Sequence, residues 1–273
     1  MFAIGAGERV VGITHECDFP PDAQHLPRLT SSALPHSGSP GEIDRHVRRS
    51  LHAGSSLYHL DAEQLEELQP DLIITQELCK VCAVSYEIVD RAARRLQSDP
   101  RVISLEPSSL EDVYANVTTV GELTGCERGA ADLIEHLRER ESAVRNVSAG
   151  RPRPRVLLLE WTDPPMSAGH WTPGLIEAAG GTPVLGNPGG NSRVLTFDEI
   201  AAEDPDVIVV APCGFDLQKT AECVAELGRD ERWNALRAVR EQRVHLVDGN
   251  AYVNRPGPRL VDTIEILAKS FGR

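Results

Sequence analysis

Three features of the sequence predict an α/β fold made of two Rossmann-like lobes with central, mainly parallel sheets. They are a weak internal duplication, aliphatic runs of strand length, and one long helical pattern between the two copies. The 273 residues suffice for two lobes that each bury a core. The expected division is 1–108 for an N-terminal α/β lobe, 109–150 for a linker helix and 151–273 for a C-terminal α/β lobe.

The elements follow in chain order. Gly5-Ala6-Gly7 followed by Val10-Val11-Gly12 is echoed by Gly180-Gly181 followed by Val184-Leu185-Gly186. Each copy reads as a helix ending in glycine, then a short buried strand. The segment from Leu65 to Ile74 is echoed more closely by the segment from Ile200 to Val209. In both, a helix stops ahead of proline, which disfavours helical geometry in the residue before it. An aliphatic run follows, as expected for a strand covered on both faces of a parallel sheet. Residues 17–60 hold Pro20-Pro21, Pro27, Pro35 and Ser37-Gly38-Ser39-Pro40-Gly41, and they read as a long irregular loop. His46-Val47-Arg48-Arg49 and Arg91–Arg95 read as solvated helix faces. From Ser109 to about Val147, apolar residues recur at helical spacing, as one long helix or two nearly continuous ones, with Gly125 and Gly129 as candidate breaks. The arginine-rich segment Arg151-Pro152-Arg153-Pro154-Arg155 leads into the strand Val156-Leu157-Leu158-Leu159.

Composition narrows the functional classes. Hydrophobic residues make up 41% and charged residues 25%, as in ordinary globular chains. The formal net charge of −13 disfavours binding to phosphate backbones or anionic lipid surfaces. No apolar run approaches the ~18–20 residues that span a bilayer. The opening Met1-Phe2-Ala3-Ile4-Gly5 lacks the basic region and cleavage pattern of a signal peptide and reads as the interior of an element already under way. A monomer is expected. Of the six cysteines, Cys126 and Cys223 lie in helical patterns and read as buried thiols.

Ligands of open parallel sheets bind beyond the carboxyl ends of the strands. Four such ends are expected: His15-Glu16-Cys17-Asp18, Gln76-Glu77-Leu78-Cys79, Glu160-Trp161 and Pro212-Cys213-Gly214-Phe215. If the lobes face each other, these ends border a ligand cleft between them. Aromatic residues are only 4% of the chain, so their positions are informative. Trp161, Trp171 and Tyr252 read either as apolar platforms for a large flat ligand or as core. Trp233, in a polar helical stretch, reads as structural. His15, Cys17, Cys79 and Cys82 are ligand types that zinc accepts; the same cysteines also fit a disulfide, a redox pair or idle thiols. His15 and His170 read either as axial ligands of a bound cobalt or as hydrogen-bonding histidines. The glycine-rich segment 186–192 fits a cleft loop or a plain turn. Carboxylate pairs such as Glu66-Glu67 read as solvated faces, and no G-x-S-x-G, H-E-x-x-H or P-loop is present.

Several segments resemble cobalamin-type substrate-binding proteins of ABC importers, within the class III periplasmic binding proteins. They are Val11 to Pro20, Thr75 to Val84, Ala168 to Pro173 with Ala178 to Gly181, and Asn254 to Asp262. The likeness runs over nearly the whole chain. It implies two α/β lobes joined by a rigid helix, with a corrinoid (cobalamin or cobinamide) held without covalent chemistry and no permanent cofactor. It also implies an ABC permease as partner and a periplasmic or cell-surface location, although without a signal peptide a cytoplasmic one stays open. Relatives bind haem or ferric siderophores, so haem, an iron chelate or a metal ion is the alternative ligand. The family pattern has one more strand and a Ser/Thr-containing turn ahead of the first helix here. Under the resemblance His15, Glu16, Glu77, Trp161, His170, Trp171, Asn191, Arg193 and Tyr252 are the expected ligand contacts. Glu87 and Glu199 are the expected docking carboxylates. A thiol redox enzyme built on Cys79 and Cys82 is the reading outside the binding class.

Overall fold

The computed structural model describes residues 1–34, 38–53, 57–76 and 84–271. The α/β class holds, and the chain divides into two compact units. The first comprises Met1–Gly38, Glu42–Glu106 and Asn116–Leu133; the second comprises Ser39–Gly41, Pro107–Ala115 and Ile134–Arg273.

The first unit opens with two single 3₁₀ turns, Phe2–Ile4 and Gly7–Arg9, joined through Gly5 at φ 86°. Ile4 and Ala6 pack with Val120 and Ala130. Gly129 is what allows this approach, because a Cβ there would lie 2.2 Å from the Ile4 carbonyl oxygen. The short buried strand expected at residues 10–14 does not form. Ile13 makes an isolated parallel bridge to Arg28, and Val11 is 43% exposed. The loop expected over residues 17–60 is also corrected. It contains β1 (Thr30–Ser32), helix α1 (Pro40–His52) and β2 (Tyr58–Leu60), with β1 and β2 antiparallel. Proline and glycine open α1 rather than prevent it, since proline lacks only a donor that the first helical turn leaves unused. Downstream, Ile43, Val47 and Leu51 recur at helical spacing, and Val47 packs on the core cluster of Leu57, Tyr58, Val84 and Val89.

Helix α2 (Ala62–Leu68) is capped by Asp61, whose carboxylate accepts the Gln64 N–H at 3.0 Å. It leads into β3 (Leu72–Thr75). After α3 (Tyr86–Ala93), β4 (Arg101–Ser104) pairs with β3 in parallel. The expectation that β3 is covered on both faces fails, because Ile74 is 37% exposed. Among the described residues this sheet has two strands, and two strands cannot wrap themselves as a wider sheet does.

Helices α4 (Leu110–Thr124) and α5 (Glu127–Ser148) are separated at Gly125, which adopts φ 62° as glycine readily does. Within the second unit, the Tyr114 hydroxyl donates to Glu141 at 3.1 Å, and Arg138 forms a two-pronged pair with Glu111 over the Tyr114 ring. Arg140 joins α5 to α11 (Leu260–Phe271) through Asp262 and Glu265.

The centre of the second unit is β5 (Arg155–Thr162), an aliphatic run with Val156 to Leu159 fully buried. An antiparallel strand, β6 (Pro165–Ser167), lies on one side. Next come β7 (Gly169–His170), α6 (Thr172–Ala178), β8 (Thr182–Pro183), β9 (Asn187–Pro188) and β10 (Arg193–Val194). α7 (Phe197–Glu203) then leads into β11 (Val207–Val210). α8 (Leu217–Leu227), α9 (Glu231–Ala235), α10 (Arg237–Arg240) and β12 (Val244–Leu246) follow. The strand order is β10-β6-β5-β11-β12, with β8 parallel to the start of β5. β5, β11 and β12 run parallel, and all four residues of β11 are fully buried. Each such aliphatic side chain contributes about 1.5–3 kcal/mol on leaving water.

Candidate functional site

In the second unit, the carboxyl ends of β5, β11 and β12 form a rim of loops. At the end of β5 stands Trp161, half-buried, with its ring 5.3 Å from that of Phe215. Its Nε1–H donates to the Asp163 carbonyl at 3.1 Å. Two tilted, partly exposed rings at a strand end make an apolar surface with a polar border.

Phe215 belongs to the turn after β11. That turn is tied to the neighbouring strand ends by the backbone: Cys213 N–H donates to the Glu160 carbonyl at 3.0 Å, and Asn250 N–H to the Phe215 carbonyl at 3.1 Å. Asn250 lies in a π-helical turn, Gly249–Val253, a form that recurs at functional sites. Gly249 is required for close packing, since a Cβ would meet the Pro212 carbonyl oxygen at 2.2 Å. Asp248 caps the turn by accepting the Ala251 N–H at 2.7 Å. Tyr252, half-buried in the same turn, is anchored through its carbonyl, which accepts the Thr263 hydroxyl at 2.6 Å.

The glycine-rich segment closes the other side of the rim. β7 pairs with β9 in parallel, and His170 N–H donates to the Gly190 carbonyl at 2.7 Å. The His170 ring lies 5.7 Å from that of Trp171. Burial lowers its pKa below that of an ordinary histidine, so His170 is neutral at pH 7 and offers an imidazole lone pair. Trp171 is only 7% exposed, and its Nε1–H donates to the Val253 carbonyl at 2.9 Å. It ties α6 to the π-helical turn. Asn191 is exposed at the tip, and its carbonyl accepts the Asn187 side-chain amide at 2.8 Å.

Arg193 and Glu199, to which the sequence assigned different roles, are paired with each other at 2.9 Å. Glu199 also completes a capping box with Thr196. The hydrogen bonds from Arg193 and Thr196 hold its pKa down to about 2. A depressed carboxyl pKa adds stability above the unfolded value, and that stability is lost as pH falls towards the folded one. Glu199→Gln is therefore expected to melt below the parent protein at pH 7. The two should converge as the pH falls from about 4.5 towards 2, as thermal melts at several pH values would check.

In the first unit, His15 is held by Thr30, whose hydroxyl oxygen lies 2.7 Å from Nδ1 and accepts the His15 backbone N–H at 3.0 Å. Nε2 faces the Glu16 carboxylate at 3.3 Å, and the ring lies 5.5 Å from that of Tyr58. Cys17 Sγ is 3.4 Å from the Thr14 hydroxyl. Among the described residues, no group of three or more His, Cys, Asp or Glu could hold a metal ion. Glu77, Cys79 and Cys82 lie outside the described residues. Glu87 is exposed in the first turn of α3.

Of the sequence-predicted contacts, Trp161, His170, Asn191 and Tyr252 lie on this rim, and Trp171 is buried against its π-helical turn; Glu160, Phe215 and Ser192 were placed at strand ends or in the glycine-rich segment but given no contact role. Phe215 carried a usable signal, being one of only five phenylalanines and placed just past a buried strand. Glu160 carried one too, as a carboxylate ending an aliphatic run.

The family model described as periplasmic binding protein matches residues 1–251. The cobalamin-binding protein of Halobacterium salinarum is 24% identical over 230 residues, covering 82% of this chain and 59% of that protein. The periplasmic vitamin B12 binding protein of Vibrio cholerae superposes with a TM-score of 0.69 at 18% identity, covering 98% of this chain and 90% of that one. The periplasmic heme-binding protein of Roseiflexus sp. RS-1 gives 0.71 at 22% identity, covering 99% and 92%. At these identities the structural likeness establishes the fold. No helix among the described residues is long and apolar enough to cross a membrane.

Proposed function

Because this chain belongs to the periplasmic binding protein family, we propose that it is a non-enzymatic binding protein that captures a corrinoid, cobalamin or cobinamide, for delivery to an ABC permease. The observation that carries this reading is the rim of the second unit, where the Trp161–Phe215 pair adjoins the turn bearing Asn250 and Tyr252. A corrin ring offers a broad apolar face, and its fringe of primary amides both donates and accepts hydrogen bonds. Aromatic rings suit the face, and amide or phenol side chains suit the fringe. The name of the halobacterial relative supports the same ligand class. His170, neutral and partly exposed, is the imidazole best placed on this rim to meet a metal centre.

The fold is equally that of haem binders, and a neutral imidazole suits iron as well as cobalt. Calorimetric titration with cyanocobalamin, cobinamide and haemin decides between them. One-to-one corrinoid binding with haemin inert is the expected result. Haemin binding with an intense Soret band and no corrinoid uptake would replace the corrinoid reading with haem.

Glu87 and Glu199 are proposed as the carboxylates that meet basic groups of the permease, and a location outside the cytoplasm is proposed together with that partner. Reversing both charges, Glu87→Arg with Glu199→Arg, is expected to lower transporter-dependent uptake about tenfold or more, as misplaced like charges do at interfaces. Titration of the same variant separates lost docking from lost ligand binding, and uptake equal to that of the parent protein would rule the docking role out.

A further inference from the structure

We infer that Glu160 is the positioning residue of the second-unit rim, holding the glycine-rich loop with Asn191 and Arg193 in its binding arrangement. The inference rests on the binding reading above and identifies a residue on which that site depends. Glu160 closes the aliphatic run of β5, and three separate segments meet on it. Its carboxyl accepts hydrogen bonds from the Ser192 hydroxyl and the Gly169 N–H. Its carbonyl accepts the Cys213 N–H of the turn that carries Phe215. The next residue in the chain is Trp161, whose ring meets Phe215.

The loop is brought tightly onto this strand end. A Cβ on Gly169 would lie 2.3 Å from the Gly190 carbonyl oxygen and 2.8 Å from the Ser192 nitrogen, so any residue but glycine would push the loop off. Glu160 is the acceptor at the foot of that contact. Burial raises its pKa above that of an ordinary glutamic acid, while the bonds from Ser192 and Gly169 act in the opposite direction. A half-buried carboxyl held there at a desolvation cost is better satisfied while the loop sits on it. Ser192 lies between Asn191 and Arg193, so their placement follows from its anchor.

The test compares Glu160→Ala, Glu160→Gln, Ser192→Ala and the double variant Glu160→Ala/Ser192→Ala. Each is titrated with cyanocobalamin, cobinamide and haemin and melted in parallel. Glu160→Ala is expected to weaken binding of the corrinoid probe about tenfold, the order that follows from losing a part-buried hydrogen bond to a carboxyl group. Glu160→Gln, which keeps an acceptor for Ser192, should recover most of that loss. The double variant should bind no more weakly than Glu160→Ala alone, because both substitutions break one contact. Asp206→Asn serves as the control. Its carboxylate accepts the Arg155 N–H and pairs with Arg237 at the opposite end of β11, so it should lower the melting temperature without changing probe affinity. Parent-like affinity in folded Glu160→Ala, or equal losses in the alanine, glutamine and Asp206 variants, would overturn the positioning role. A parent protein inert to all three probes would instead overturn the binding reading, and this inference with it.

Discussion

Replacing Trp161 by alanine is expected to weaken corrinoid binding about hundredfold, in line with the roughly 2–4 kcal/mol that buried aromatic anchors carry at interfaces. Trp161 is half-buried, stands at the carboxyl end of the central strand, and is oriented by its contact with Phe215 and by the hydrogen bond of its Nε1–H to the Asp163 carbonyl. Its position is therefore set before any ligand arrives, so little side-chain entropy is lost on binding. Alanine removes the larger half of the apolar surface and leaves Phe215 alone on it. Trp161→Phe keeps a ring and should keep most of the affinity. Calorimetry with cyanocobalamin checks both variants. An alanine variant that binds like the parent would remove this rim from the ligand site.

The second large effect concerns stability. Trp233→Ala is expected to cost the second unit about 3–5 kcal/mol, the range for deleting a buried tryptophan. The indole is 2% exposed and packs in the cluster of Leu157, Leu159, Ile200, Ile208, Val210 and Leu236. These residues come from β5, α7, β11 and the end of α9, so the void cannot close without moving the sheet on its covering helices. Against a total stability of about 5–15 kcal/mol this loss is large. Differential scanning calorimetry should show the melting temperature of this unit lowered by about 10 °C. Trp233→Phe, which retains much of the volume, should recover part of it. A melting temperature within a degree of the parent would mean that the cluster does not carry the fold.

Local chemistry made much of this molecule legible in the sequence. β5 and β11 are continuous aliphatic runs, as expected of strands buried on both faces of a parallel sheet. They were identifiable without a structure, and so were their ends, which placed Trp161 and the turn at Pro212 on the rim. The same logic failed in the first unit. Val10-Val11 resembles a buried strand, yet strand geometry is stable only beside a partner, and among the described residues this segment makes one bridge, at Ile13. The proline-rich stretch before residue 60 concealed helix α1, because Pro40 and Gly41 mark a helix start as well as a turn.

The alternation of helix and strand, the mainly parallel sheet and two of the rim strands, β5 and β11, were thus determined by the sequence itself, through hydrophobic periodicity and the backbone limits of proline and glycine; β12 was not. Tertiary structure alone decided that the Ser192 hydroxyl would reach Glu160, that Phe215 would meet Trp161, and that Arg193 would pair with Glu199. The physical reason is range. Periodicity and propensity act over a few neighbouring residues. The partner of a carboxylate or an aromatic ring is set by which strands the chain lays side by side, and that depends on the packing of the whole sheet.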